Sequence, residues 1–364
     1  MSLLAPFPYF GGKSRIASTV WKYLGDPPNY VEPFAGSLAV LLNRPTPGKI
    51  ETINDFDGFV ANFWRALQHA PAEVARHATN PVNENDLHAR HAYLLSVKPD
   101  MEPRLSGDPE FYDAKLAGWW AWGTSCWIGS GFCAGTGAWQ SVDGRLVKCE
   151  PGTGNKKQRP HLYAAQGVTK QRPHLGNAGQ GVTKQLPHLG DAAQGVTKQL
   201  PHLGNAGRGV TKNLKTDSGP FDASEGLLDW FHALASRIRT VRVCCGDWSR
   251  VTEPSVTERH GITGIYLDPP YGHDLRSVGL YANDHDVTRE VEAFCLDNGS
   301  NPKLRIVLSG YDGEYNLPGW RQVNWSANGG MGNQSQGRGR ENKNKERLWV
   351  SPHCLQGETL FDFE

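Results

Sequence analysis

Apolar positions along the chain follow two rhythms. Between residues 224 and 239, Leu227, Leu228, Phe231, Leu234, Ala235 and Ile238 recur at helical spacing and make one apolar face. Ser224 is placed to cap that helix. Ser14–Leu24, Gly36–Leu42, Gly58–His69, Glu84–Ser96, Phe111–Trp127 and Val287–Leu296 read as further helices. Between them lie short apolar runs at Asn29–Glu32, Lys49–Asn54, Val241–Cys245, Gly264–Leu267 and Leu304–Leu308. These suit strands buried on both faces. Alternation of this kind predicts an α/β fold with a doubly wound, mostly parallel sheet, whose ligands bind at the carboxyl ends of the strands.

Composition changes this picture only through its distribution. The 364 residues suffice for one large or two medium domains with a buried core. Lys and Arg number 38 against 37 Asp and Glu, a balance that argues against a polyanionic partner. Residues 151–216, however, hold ten cations and a single acid, Asp191, and so carry +9 of a total of +1, leaving −8 elsewhere. The same segment repeats: GVTKQRPHLGNAGQ (167–180), GVTKQLPHLGDAAQ (181–194) and GVTKQLPHLGNAGR (195–208) agree at ten of 14 positions. They also account for much of the excess of glycine. Each unit has too few apolar residues to form a core alone. The insert is therefore either a passive product of duplication or a basic arm that lies along a phosphate backbone through Lys170, Lys184, Lys198 and Lys212. His174, His188 and His202 are evenly spaced but lack companion ligands, so no metal site is expected. A second basic stretch, Asn328–Arg347, reads as a long loop that either contacts a phosphate backbone through Arg338 and Arg340 or is a solvated connector.

Seven cysteines without framework spacing point to reduced thiols and a cytoplasmic protein. No apolar run reaches the ~18 residues of a membrane span, and MSLLAPFPYFGGK lacks the layout of a signal peptide. Neither a membrane nor an obligate protein partner is expected. Trp119, Trp120, Trp122, Trp127 and Trp139 are read mainly as core between a helical region and the sheet, with a base-stacking surface as the other reading. Cys126 and Cys133 among them read as small core residues.

Three predicted strands end in informative loops. The first runs into Glu32-Pro33-Phe34-Ala35-Gly36-Ser37, an acid followed by a glycine-bearing turn. The second ends in Asn54-Asp55, where a carboxylate can accept from two ribose hydroxyls; its other reading is a turn or cap. The strand at Gly264–Leu267 runs directly into Asp268-Pro269-Pro270-Tyr271. Two prolines stiffen that turn, so the Asp268 carboxylate and the Pro269 carbonyl are held as acceptors beside an aromatic ring. Such acceptors suit an exocyclic amine on a planar base.

At these residues the sequence resembles the Dam-type N6-adenine DNA methyltransferases. The resemblance rests on Pro8–Lys13 (PYFGGK), VEPFAGS (31–37), Asn54-Asp55, Cys245–Trp248 and Asp268–Tyr271, in that family's order, with Lys345–Val350 similar to the last strand of its fold. It implies an AdoMet-dependent methyltransferase fold split between 1–70 and 221–364. A target-recognition region would be inserted, helical and Trp-rich over 71–150 and basic over 151–220. It implies S-adenosyl-L-methionine as cofactor and double-stranded DNA as partner. Carried over, Tyr9 and Lys13 contact AdoMet, Glu32 with Phe34–Gly36 holds its methionine moiety, and Asp55 takes the ribose. Asp247, beside Trp248, sits near the cofactor adenine, and Asp268, Pro269 and Tyr271 form the catalytic pocket. The sequence departs from the family at Ser37-Leu38, where small residues are usual.

The chemistry follows from the residues as well. Hydrogen bonds from an adenine amine to Asp268 and the Pro269 carbonyl favour a pyramidal nitrogen whose lone pair can attack a sulfonium methyl. The base reaches such a pocket only by flipping from the duplex, at a cost of a few kcal/mol, and stacking on Tyr271 returns roughly 1–3 kcal/mol. Two alternatives remain open at this level. One is amino-methylation of cytosine N4 or of adenine in RNA; the other is a non-catalytic DNA-binding protein on the same fold. The repeats show no base-reading order, so short or relaxed sequence preference is expected.

Overall fold

The computed structural model describes residues 3–7, 13–127, 132–133, 139–142, 145–148, 222–270, 287–325 and 346–356. Tyr9, Tyr271, the 14-residue repeats with Lys170, Lys184, Lys198 and Lys212, and the loop with Arg338 and Arg340 lie outside the described residues.

Nine strands are described: β1 (Asn29–Glu32), β2 (Ile50–Asp55), β3 (Trp139–Val142), β4 (Arg145–Lys148), β5 (Arg242–Cys245), β6 (Thr263–Leu267), β7 (Leu304–Tyr311), β8 (Arg321–Asn324) and β9 (Glu346–Val350). Seven form one sheet in the order β5-β2-β1-β6-β7-β9-β8, and β3 pairs with β4 as a separate hairpin. β5, β2, β1, β6 and β7 run parallel, and β9 is antiparallel to both neighbours. The strand order reverses at β1, which pairs with β2 on one side and β6 on the other. In an open α/β sheet that reversal opens a crevice at the strands' carboxyl ends.

The helices are α1 (Ala17–Leu24), α2 (Gly58–His69), α3 (Pro71–Ala78), α4 (Glu84–Gly107), α5 (Ala114–Cys126), α6 (Asp222–Ile238), α7 (Ser249–Thr252), α8 (Pro254–Thr257) and α9 (Thr288–Asn298). Because side chains alternate along a strand, the sheet faces two cores. Tyr30, Ile53, Tyr266 and Val307 point to one, where Val20 and Leu24 of α1, Phe59 and Phe63 of α2 and Phe231 of α6 pack. Val31, Ile265, Leu267, Ile306 and Leu308 point to the other, with Val251 of α7 and Val291 and Cys295 of α9. Covering both faces is what lets the central strands be apolar throughout. Trp120 and Trp122 are buried and Trp119 half-buried, so the described tryptophans of α5 are largely core. Phe7 joins them, edge-on to Phe63 and Trp120 at 5.0 and 4.7 Å.

Four local expectations are corrected. No α-helix spans Gly36–Leu42: the segment is a series of turns ending in one 3-10 turn, Leu41–Asn43. Gly36 (φ 46°) and Leu38 (φ 55°) adopt left-handed conformations that a right-handed helix cannot contain. The helix from Glu84 continues past Ser96 to Gly107, through Pro99 and Pro103. Burial of Met101 and Leu105 outweighs the lost hydrogen bonds there. Ser14 does not cap α1, which begins at Ala17 after a turn closed on the Lys13 carbonyl. Nor does Ser224 open α6, which starts two residues earlier at Asp222.

Candidate active site at the carboxyl ends of the strands

Glu32, Asp55 and Asp268 end or directly follow β1, β2 and β6, so pairing of these strands brings three acids to one edge of the sheet. The loop after β1 is built around Asp55. Its Oδ2 accepts from the Gly36 amide at 2.8 Å and its Oδ1 from the Asp57 amide at 2.9 Å. The Phe56 amide is a third donor to this carboxylate, which can accept about four hydrogen bonds in all. Burial and the Asp57 carboxylate push the Asp55 carboxyl up to about 7, against those backbone donors. The Gly36 carbonyl accepts from Trp64 Nε1 of α2 at 2.9 Å, so the turn is pinned on both sides.

Asn54 ties the loops together. Its Nδ2 donates to the Pro33 carbonyl at 3.1 Å and to the Gly246 carbonyl at 2.9 Å. Across that tie the rings of Phe34 and Trp248 stack, 5.8 Å apart and 29° from parallel. Asp247, between Gly246 and Trp248, accepts at Oδ1 from both the amide and the hydroxyl of Ser249. The loop after β5 thus presents a carboxylate beside an aromatic face.

Glu32 is 3% exposed. It accepts a hydrogen bond from Tyr30 Oη at 2.9 Å and another from the Leu41 amide. Burial dominates, the Asp268 carboxylate adds to it, and the carboxyl is pushed up to about 8. Asp268 is one-fifth exposed and meets Lys13 Nζ at 2.9 Å. Burial raises the Asp268 carboxyl and Lys13 opposes the rise. Burial alone lowers an ammonium, but Asp268, Glu346 and Glu314 together hold Lys13 above the usual lysine value. Trp325 lies beyond, with its ring centroid 5.8 Å from Lys13 Nζ.

The sequence-predicted residues Lys13, Glu32, Phe34, Gly36, Asp55, Asp247, Asp268 and Pro269 are all described and all lie at this edge of the sheet. Lys13 also meets the Asp268 carboxylate, a contact that the sequence did not indicate. Sequence reasoning passed over Tyr30, Glu314, Trp325 and Glu346. Tyr30 looks like an ordinary strand residue. Glu346 is brought in only because β9 inserts beside β7.

Residues 9–109 match the family model of the D12 class N6 adenine-specific DNA methyltransferase. Over that segment, 101 of the 364 residues, the chain is similar to that class. The matched segment contains Lys13, Glu32, Gly36, Asn54 and Asp55, whereas the Asp268 strand lies outside it. No curated protein matches the chain. D12 class enzymes methylate adenine in DNA and usually take the methyl group from AdoMet. Among the described residues, no helix is long and apolar enough to cross a membrane.

The residues at the strand ends fit such a donor. AdoMet carries a cationic sulfonium and ammonium, two ribose hydroxyls and a planar base. The edge offers a buried carboxyl at Glu32, a partly exposed one at Asp268, an Asp55 carboxylate with room for a further donor, and an aromatic pair.

Proposed function

We propose that this chain transfers a methyl group from AdoMet to the N6 amine of an adenine flipped out of duplex DNA. In this reading Glu32 and the Phe34–Gly36 turn hold the methionine part of the donor, and Tyr9 and Lys13 contact the donor as well. Asp55 accepts from the ribose hydroxyls, and Asp247 with the Phe34–Trp248 pair receives the donor's base. Bound AdoMet supplies an electrophilic methyl.

The chain's own residues prepare the nucleophile. The Asp268 carboxylate and the Pro269 carbonyl accept from the two N6 hydrogens, and Tyr271 stacks on the flipped base. As the new N–C bond forms, the nitrogen gives up one proton, and Asp268 lies first in line to receive it. Before substrate arrives, Lys13 satisfies the carboxylate that the amine later uses. The observation that carries this reading is the place of Asp268, at the strand-order reversal, paired to Lys13 and beside Glu32. We further propose that the basic repeats and the loop with Arg338 and Arg340 bind phosphates, and that sequence preference is short or relaxed.

The test uses tritiated AdoMet and unmethylated genomic DNA, hydrolysed to nucleosides after reaction. Label is expected in N6-methyldeoxyadenosine. Label in N4-methyldeoxycytidine, or in no nucleoside, overturns the reading.

A further inference from the structure

We infer that Asn54 is the positioning residue that clamps the two donor-binding loops together, an inference that rests on the function just proposed. Asn54 is the penultimate residue of β2, a strand flanked by β1 and β5, and both hydrogens of its amide leave the strand sideways. One goes to the carbonyl of Pro33 in the loop after β1, the other to the carbonyl of Gly246 in the loop after β5. Pro33 has no amide hydrogen, so its carbonyl is the only backbone hydrogen-bonding group it has. The backbone reinforces the tie. Ala35 N donates to Asn54 O at 2.8 Å, and Gly246 N donates to Asp55 O at 3.1 Å.

The two tied residues lead into the aromatic pair and the Asp247 carboxylate. Phe34 follows Pro33, and Asp247-Trp248 follow Gly246, so the Phe34–Trp248 separation of 5.8 Å is set across the Asn54 amide. Gly246 adopts φ 126°, which turns its carbonyl back toward the strand and is strained for any side chain.

A purely structural reason for the amide is poor. Asn54 is 1% exposed, and its Oδ1 finds no hydrogen-bond partner among the described residues. An acceptor buried in that state costs about 1–3 kcal/mol. Valine or isoleucine would fill a buried strand position without that cost, but neither can donate to two carbonyls at once. Aspartate would set oxygen against both, next to the Asp55 carboxylate. The two donors are therefore what the position requires.

Asn62 provides the control. It is equally buried and bridges α2 to the start of α5, donating to Asp113 O at 2.9 Å and accepting from Asp113 N at 2.8 Å. Asn54→Ala and Asn62→Ala should lose comparable melting temperature. Only Asn54→Ala should raise the KM and the calorimetric Kd for AdoMet, by about tenfold for two lost hydrogen bonds, with kcat within threefold of wild type. Asn54→Ser, which retains one donor, should fall between and serves if the alanine variant does not fold. A KM and Kd within twofold of wild type in the Asn54 variants, or an equal rise in Asn62→Ala, overturns the clamp alone. Wild-type protein that binds no AdoMet overturns the functional reading and the clamp with it.

Discussion

Lys13 Nζ lies 2.9 Å from Asp268 Oδ1, joining the loop that precedes α1 to the residue that follows β6. The two residues are 255 positions apart in the chain, and the ammonium is 4% exposed. Pairing at that depth favours the ionised carboxylate against the effect of its burial. Under the proposed function the same pairing would make Lys13 an electrostatic partner of the chemistry as well as a neighbour of the donor.

Asp268→Ala should therefore lower kcat by on the order of 10²–10³ or more, while AdoMet binding is weakened but still measurable by calorimetry. Lys13→Met should move the acid limb of the kcat/KM profile to higher pH. Without the ammonium, burial acts unopposed on the Asp268 carboxyl and raises it further. Near-wild-type turnover in Asp268→Ala, or an unmoved acid limb in Lys13→Met, contradicts these roles.

Glu32 should make both stability and donor binding depend on pH. Its carboxyl shifts from the usual 4.5 to about 8 on folding. Between those values the folded protein keeps a proton that the unfolded chain has lost. Stability must then fall as pH rises across this window, by at most roughly 1.4 kcal/mol per pH unit from this group. Thermal unfolding from pH 5 to 8 should show the decline, and Glu32→Gln should flatten it. The ionised form is the one that can hold a cation, so AdoMet affinity should tighten toward pH 8 in wild type and much less in Glu32→Gln.

Leu38 should reverse a familiar ordering. Its side chain is fully buried and its φ is 55°. Truncating it to alanine leaves a cavity costing about 2–5 kcal/mol and keeps the left-handed strain. Glycine leaves the same space but relieves roughly 1 kcal/mol of that strain. Leu38→Gly should thus be the more stable of the two by chemical denaturation. The opposite order would mean that the turn relaxes in Leu38→Ala.

Removal of 167–208 in frame deletes five cations and one acid. If the repeats bind phosphates, DNA affinity should fall and its salt dependence become shallower, by roughly one unit of slope for each phosphate that is no longer neutralised. Titration at several salt concentrations measures both. Unchanged affinity and slope would make the repeats a passive insert.

The sequence by itself determined the alternating helices and strands, because apolar periodicity reports burial whatever the neighbours. It also marked the acids that end strands: Glu32, Asp55, Asp247 and Asp268 follow apolar runs, and loops after strands are where an α/β sheet keeps its ligands. Residues whose local signal conflicts with their setting were legible only in part. Leu38 looks helical until a left-handed turn is imposed on it, and Pro99 and Pro103 look like stops until packing carries α4 through them. Tertiary structure alone decided which strands lie side by side, and hence that Asn54 spans two loops and Lys13 meets Asp268. Those pairings join residues about 190 and 255 positions apart. Periodicity is a property of near neighbours, whereas such pairings depend on strand order and on the crossovers that set it.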